Sequence, residues 1–418
     1  MSRPVLITGM GLVSPLGADK SACFDGAVQA CSAIRPAPQA ICAGLPNLLV
    51  ASIEGDPAVQ LGRQFAGQDR ATLLALQAAH EAMCEAGLDA AVPDAPRFGA
   101  YVGVGFAGAN TLDAMYARYF QGLQAAAQTG RQATVVHPLS VPRMMANTSA
   151  AALSMRYGLR GATNTYSVAC ASSAVAMGEA MRAIAHGYLD AVLVVGTESM
   201  LTAGCMVAWN ALRVMAKPDP DNPASSCKPF SANRSGFVLG EGAAAIVLES
   251  AAHAQARGAT PLAELAGYGC SSDAHHLTAP SVEGQVTAMK QALAEAGLAP
   301  ADIHYINAHG TATDAGDVVE TQSIHAVWGD LAKQVPVSST KAVHGHLIGA
   351  GGAAEFVLSI MAMQQRLVPP TAHLAQPDPR CDLDYVPGEA RQLARIDAVL
   401  SNSFAFGGSN ACLVAKRV

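Results

Sequence analysis

Short, unbroken apolar runs alternate with alanine-rich stretches of helical spacing along all 418 residues. Val5–Ile7, Gly99–Val104, Asn164–Val168 and Ala191–Val195 predict buried strands. Arg70–Ala86 and Ser172–His186 predict helices. After Glu249 the cycle opens again, with Ala263–Gly267, Val282–Ala296, Tyr305–Ile306, Ala353–Gln364 and Ala398–Ser401 in similar order. Such alternation belongs to an α/β protein. It divides near residue 253 into segments 1–253 and 254–418, with Lys217–Pro223 as an exposed, turn-rich insertion. The two segments show no internal repeat at the level of residues.

Composition narrows the class. Charged residues make up 14%, against roughly a quarter in an average globular protein, so much surface is expected inside the fold or between subunits, and an oligomer follows. A net charge of −6 argues against nucleic acid, whose phosphates need a concentrated basic surface. Val5–Val13 is interrupted by Thr8, Gly9 and Gly11 and is soon followed by Pro15, which suits a core strand better than a secretory leader. No run of apolar residues is long enough for a membrane span. The ten cysteines form no CxxC pair and read as reduced thiols of a cytoplasmic protein, with no metal site among them.

Two glycine patterns resemble a nucleotide loop. Gly103-Val-Gly-Phe-Ala-Gly108 matches G-x-G-x-x-G after a strand, yet no acidic residue ends a second strand at the required distance. Gly9-Met-Gly11 fails at its third position. Tight turns and close backbone packing explain both better than a nicotinamide cofactor does.

Three segments carry candidate chemistry. Cys170 stands where the β-rich run Tyr166-Ser-Val-Ala gives way to small, helix-compatible residues, so its sulfur is expected at a helix N-terminus, where a thiolate is favoured. His309 follows the strand-like Ile303–Ile306, in Asn307-Ala-His-Gly-Thr-Ala-Thr-Asp314. Lys341 and His346 lie in Ser338-Ser-Thr-Lys-Ala-Val-His-Gly-His-Leu-Ile-Gly349, a glycine-rich turn that again follows a strand. Ligands of open α/β sheets gather at such carboxyl ends. A thiol with two loop histidines is equipment for acyl transfer coupled to carbanion chemistry.

With these motifs in order, the chain resembles the elongating β-ketoacyl-ACP synthases over nearly its whole length. The likeness runs from Val5-Leu-Ile-Thr-Gly-Met-Gly11, through Lys228-Pro-Phe-Ser-Ala-Asn-Arg-Ser-Gly-Phe-Val-Leu-Gly-Glu-Gly242, to Ser403-Phe-Ala-Phe-Gly-Gly-Ser-Asn410. The resemblance implies an α/β thiolase fold of two pseudo-duplicated halves in α-β-α-β-α layers. Its expected reaction is the joining of an acyl group on Cys170 to a malonyl unit with loss of carbon dioxide, both delivered on the phosphopantetheine of an acyl carrier protein, without a cofactor of the enzyme's own. It further implies His309 and His346 as oxyanion donors, Lys341 and Glu355 as groups behind them, and the backbone N–H groups of Cys170 and Phe406 as a second oxyanion hole. Thr311 and Thr313 match positions that hold the pantetheine arm. Phe404 and Phe406, with Phe106, Met206 and Trp209, are the implied acyl-pocket residues. A homodimer is implied, or a heterodimer with a chain-length-factor-like subunit.

Departures from the family pattern concern the substrate. Ala405 stands where glycine is usual and is expected to stiffen a gating loop, while Phe106, at a usually aliphatic position, points to a shorter acyl pocket. Asp314 and Ser231 also depart, without a functional reading. His344, His275 and His276 are expected to be structural. A non-catalytic chain-length factor would lack Cys170; a thiolase would need a second basic cysteine, for which Cys412, in a strand-like run, is poorly placed. Arg63, Arg70, Arg118 and Arg131 are scattered candidates for carrier docking.

Overall fold

In the computed structural model of the chain, residues 3–65, 67–130 and 136–418 are described, apart from the side chains at 60 and 63. The first half supplies strands β1 (Val5–Val13), β2 (Phe98–Gly103), β3 (Thr163–Tyr166), β4 (Ala191–Glu198) and β5 (Gly242–Ser250). The second supplies β6 (Ala263–Ser272), β7 (Tyr305–Asn307), β8 (Val337–Ser338), β9 (Ala398–Ala405) and β10 (Ser409–Lys416). They form one continuous sheet in the order β8-β7-β9-β10-β6-β1-β5-β4-β2-β3.

Within that order lies a duplication that the residues alone do not show. In each half the first strand is followed in space by the fifth, fourth, second and third. The first two pairings are antiparallel and the last two parallel, in the N-terminal half and in the C-terminal half alike. The halves join where β1 meets β6, through Leu6 opposite Glu264 and Ile7 opposite Ala263. Residue 253 falls in the short helix Ala251–Ala256 between them.

Apolar faces dictate the layers. Helices α1 (Arg70–Glu85) and α3 (Thr148–Tyr157) lie on either side of α2 (Ala109–Thr129) in sequence. The buried faces of α1 and α3 cover one side of the first half's strands. On the far side of the molecule, α6 (Val282–Ala296) and α7 (Asp314–Trp328), which follow α5 (Ala203–Ala211), cover the second half. Between the halves run α4 (Ser172–Ala185) and α8 (Gly351–Gln365), in a core shared by both. Every residue of α8 from Gly351 to Met363 is buried, as a helix apolar on all sides requires. The result is the α-β-α-β-α layering.

The glycines of the 103–108 pattern serve this packing. A Cβ on Gly103 would lie 2.4 Å from the main chain of Ser173, and one on Gly105 would lie 2.5 Å from the Glu198 carboxylate. Gly108 has φ +67°, the left-handed region that glycine enters without strain. Strand β2 can therefore sit directly on the first turn of α4.

Candidate active site

Four loops meet at the carboxyl ends of β3, β7, β8 and β9. Between β3 and α4, Ala169–Ala171 forms a 3₁₀ turn that carries Cys170. Ala169 has φ +45°, and the Ser172 hydroxyl fastens the turn by accepting from the Val168 N–H at 2.8 Å and donating to the Ala169 carbonyl at 2.7 Å. The other half repeats the device before α8, in the 3₁₀ turn Ile348–Ala350 with Ile348 at φ +44°. Gly349 occupies there the middle position that Cys170 occupies here.

His309 follows β7. The carboxylate of Glu320, on α7, accepts from the main-chain N–H groups of His309 and Gly310, both at 2.8 Å, and from the Asn402 amide at 3.0 Å. His346 follows β8, and its main-chain N–H donates to the Val238 carbonyl at 2.7 Å. Neither Glu320 nor Val238 was legible in the sequence as part of a site; Glu320 lies on one face of an ordinary helix, and only the fold turns it toward the loop.

The three side chains converge. The Nε2 of His346 is 3.0 Å from the Cys170 sulfur. One ligand atom each of Cys170, His309 and His346 lie within 4.8 Å of one another, and the two rings are 5.4 Å apart at 79°. All three residues are buried.

Hydrogen bonds assign the tautomers. The Nδ1 of His346 accepts from the Ile348 N–H at 3.3 Å, so the ring proton resides on Nε2. The Lys341 ammonium faces the Nδ1 of His309 at 3.5 Å, which again leaves Nε2 as the donor. Burial, and next the Lys341 charge, hold both imidazoles well below the ordinary histidine range, so each is neutral and presents one N–H. Lys341 itself pairs with Glu355 at 2.5 Å; burial raises the Glu355 carboxyl to about 7, opposed by Lys341. Lys341 and Glu355 thus stand behind the imidazoles and away from the cavity lining.

The sulfur is less acidic than the sequence implies. Burial pushes the Cys170 thiol up to about 12, against the Lys341 charge and the Phe406 main-chain N–H, which point the other way. Complete desolvation thus opposes the helix terminus, at which the sequence predicts a thiolate.

A cavity of about 380 Å³ opens beside these groups, lined by Cys170, His309, His346, Phe404 and Phe406, together with Thr311 and Thr313. The two threonine hydroxyls are 2.9 Å apart. His276 also lines it, so it belongs to the channel wall and not merely to structure as expected. His344 is structural, with Nδ1 on the Gly345 carbonyl at 2.7 Å and Nε2 on the Thr340 hydroxyl at 2.9 Å.

Three expected pocket residues are not in the lining of this cavity. Phe106 is 45% exposed, because the turn after β2 is tied down by its N–H on the Glu198 carboxylate at 3.2 Å. It is not among the residues that line the cavity. Met206 is buried and Trp209 half-buried in the apolar cluster that also holds Cys170, both outside the cavity lining.

Other candidates resolve simply. Cys412 is buried on β10 with its thiol against the Asn402 side-chain oxygen at 3.2 Å, outside the cavity, which removes the second cysteine a thiolase needs. Arg70 is held by Glu241 at 2.7 and 2.8 Å and is structural. Arg131 and the Arg63 side chain lie outside the described residues. Asp314, without a reading in the sequence, heads α7 and pairs with Arg380 at 2.7 Å and Arg234 at 3.3 Å.

Comparison with known proteins agrees with this geometry. Residues 2–254 match the Beta-ketoacyl synthase, N-terminal domain family and residues 262–375 the Beta-ketoacyl synthase, C-terminal domain family. The chain is 42% identical to Nodulation protein E of Rhizobium meliloti, covering 100% of both. It is 38% identical to 3-oxoacyl-[acyl-carrier-protein] synthase 2 of Coxiella burnetii, over 100% of this chain and 99% of the other. A type II PKS ketosynthase, solved with its acyl-carrier protein and bound to a hexaketide, superposes with a TM-score of 0.89 at 27% identity over 100% of both chains. A thiol and two imidazole donors at one cavity, on a duplicated five-layer scaffold, and matches to both domain families make this chain a member of the β-ketoacyl synthase family, an acyltransferase of the condensing type with the thiolase fold.

Proposed function

We propose that the chain condenses an acyl group carried on Cys170 with malonyl-ACP, giving 3-oxoacyl-ACP and carbon dioxide. One observation carries the reading: two neutral imidazoles turn N–H donors toward the cavity in which the Cys170 sulfur lies. Donors fixed before charge develops are what an enolate oxygen requires.

In the first half-reaction the Cys170 sulfur bonds to the thioester carbonyl carbon, the carrier's sulfur–carbon bond breaks, and the thiol proton leaves with the carrier thiol. The N–H groups of Cys170 and Phe406 hold the tetrahedral oxyanion. In the second, the malonyl carbon–carboxylate bond breaks, its electron pair becomes an enolate held by His309 and His346, and the enolate carbon attacks the acyl carbon on Cys170. The sulfur leaves as a thiolate and regains a proton from water. The Lys341 ammonium beside His309 keeps that ring neutral and its proton on Nε2, so a donor, not a lone pair, faces the cavity. For the same reason the Cys170, His309, His346 set favours an organic substrate over a metal ion, and the chemistry needs no cofactor of the enzyme's own.

Carrier-bound substrate is supported by the 3-oxoacyl-[acyl-carrier-protein] synthase relative and by the ketosynthase solved with its carrier protein. A second thiolase-fold subunit suits the free edge of β3 and the exposed Tyr116, Tyr119, Phe120 and Leu123 of α2, a larger apolar surface than scattered residues leave. A homodimer is the simpler form; a heterodimer with a chain-length-factor-like subunit would cover the same edge. A reducing cytoplasm suits ten free cysteines, and no helix of the described residues is long and apolar enough to cross a membrane.

Intact-protein mass measurement after incubation with acyl-ACPs tests the reading. An acyl adduct is expected on the native chain and none on Cys170→Ala; an equal adduct on both would overturn it.

A further inference from the structure

Trp209, in the apolar cluster that holds Cys170, also stands against two aromatic rings. Its indole lies 6.4 Å from the Phe406 ring at 28° and 5.7 Å from the Phe237 ring at 79°. Phe237 in turn meets the His346 imidazole edge-on, 5.1 Å away at 90°. Both ends of this aromatic row bear on the same sulfur: the Phe406 main-chain N–H faces Cys170, and the His346 Nε2 touches it at 3.0 Å.

The loop at one end is the tight turn between β9 and β10, where Ala405 pairs with Ser409. After Phe406 come Gly407 at φ +87° and Gly408 at φ +76°. Neither has a side chain with which to pack; the Gly407 N–H donates to the Leu277 carbonyl at 2.7 Å, the Gly408 N–H to the Ala405 carbonyl at 3.1 Å, and the Gly408 carbonyl accepts from the Asp273 N–H at 2.7 Å. Main-chain bonds thus hold the glycines, while the Phe406 ring is the side chain that joins this turn to α5, through the face of Trp209.

We propose that Trp209 is a positioning residue: by stacking on Phe406 and buttressing Phe237, it sets the N–H donor and the imidazole that flank the Cys170 sulfur. The inference rests on the condensing reaction proposed above. Misplacement of reacting groups by about 1 Å costs on the order of a hundredfold in rate, so an aromatic prop at this distance has kinetic leverage without touching substrate.

Two measurements test it. In single-turnover acylation, Trp209→Ala is expected to slow transfer to Cys170 by about tenfold to a hundredfold with KM for the acyl carrier nearly unchanged, and Trp209→Phe to recover most of the rate. The contact itself can be read without turnover, because the chain has two tryptophans and the other, Trp328, donates to the Pro300 carbonyl at 3.0 Å in the outer layer. In a Trp328→Phe background, Phe406→Leu is expected to shift the Trp209 emission to the red. Wild-type acylation by Trp209→Ala, equal loss in the Ala and Phe variants, a defect confined to KM, or an emission indifferent to Phe406→Leu would each overturn the proposal. Normal acylation of Cys170→Ala would instead remove the reaction on which it rests.

Discussion

The Nε2 of His346 and the sulfur of Cys170 are 3.0 Å apart across 176 positions of sequence, and they come from opposite halves of a duplicated sheet. Each sits just past a parallel strand, one after β3 and the other after β8, strands that hold the same place in their respective halves. The sulfur and the imidazole thus meet because the two halves pack face to face through α4 and α8.

Separate roles for the sulfur and the imidazoles predict separable defects. His346→Ala and His309→Ala should lower decarboxylative condensation by about a hundredfold to a thousandfold, the magnitude of a lost oxyanion donor, while acylation of Cys170 falls much less. Rapid-quench measurement of the two half-reactions checks this, and equal loss in both would show the roles wrongly divided.

The desolvated thiol predicts a particular pH dependence. With the Cys170 thiol pushed up to about 12, the thiolate fraction, and with it the rate of alkylation by iodoacetamide, should rise about tenfold per pH unit from 7 to 9. A plateau in that window would mean that the helix terminus and Lys341 prevail over burial. The imidazoles behave oppositely: held well below their ordinary range, they protonate only in acid, so malonyl decarboxylation should show no imidazole titration between pH 6 and 8.

Lys341 and Glu355 form a buried pair at 2.5 Å, and removing one partner strands the other charge. Lys341→Met alone should destabilise the chain by about 3–5 kcal/mol. Lys341→Met with Glu355→Leu should recover much of that stability and none of the condensation rate, because the Nδ1 of His309 still lacks the ammonium that fixes its tautomer. Thermal unfolding and condensation assays on the two variants distinguish these effects.

Gly103→Ala tests how the scaffold sets the nucleophile. The new methyl would press on the Ser173 main chain at 2.4 Å, and overpacking of this kind costs about 1–3 kcal/mol. Since Ser173 is in the first turn of α4, three positions beyond Cys170, acylation should fall by more than the loss of stability explains. Unchanged acylation by a destabilised variant would separate the two.

Much of this was legible in advance, and unevenly. Buried strands such as Ala191–Val195 announced themselves as apolar runs, and Cys170, His309 and His346 by motif and by their place after strands. The duplication was hidden because it resides in strand order and direction, which residues of divergent identity can share. Phe106 shows a related limit: sequence position locates it after β2, but only the structure shows its N–H tethered to Glu198 and the residue exposed in this chain. The roles of Glu320, Val238 and Phe237 did not show, the last two although they stand within the 228–242 motif, because they act on the histidines through main-chain carbonyls, buried carboxylates and ring packing, none of which leaves a spacing signature.

The paired 3₁₀ turns also bear on stoichiometry. Cys170 and Gly349 hold matching stations in the two halves, yet a Cβ at Gly349 would come within 2.3 Å of the Gly105 nitrogen. A side chain, and with it a twin of the thiol, is sterically barred at that station, so the symmetry of the scaffold is not carried into its chemistry.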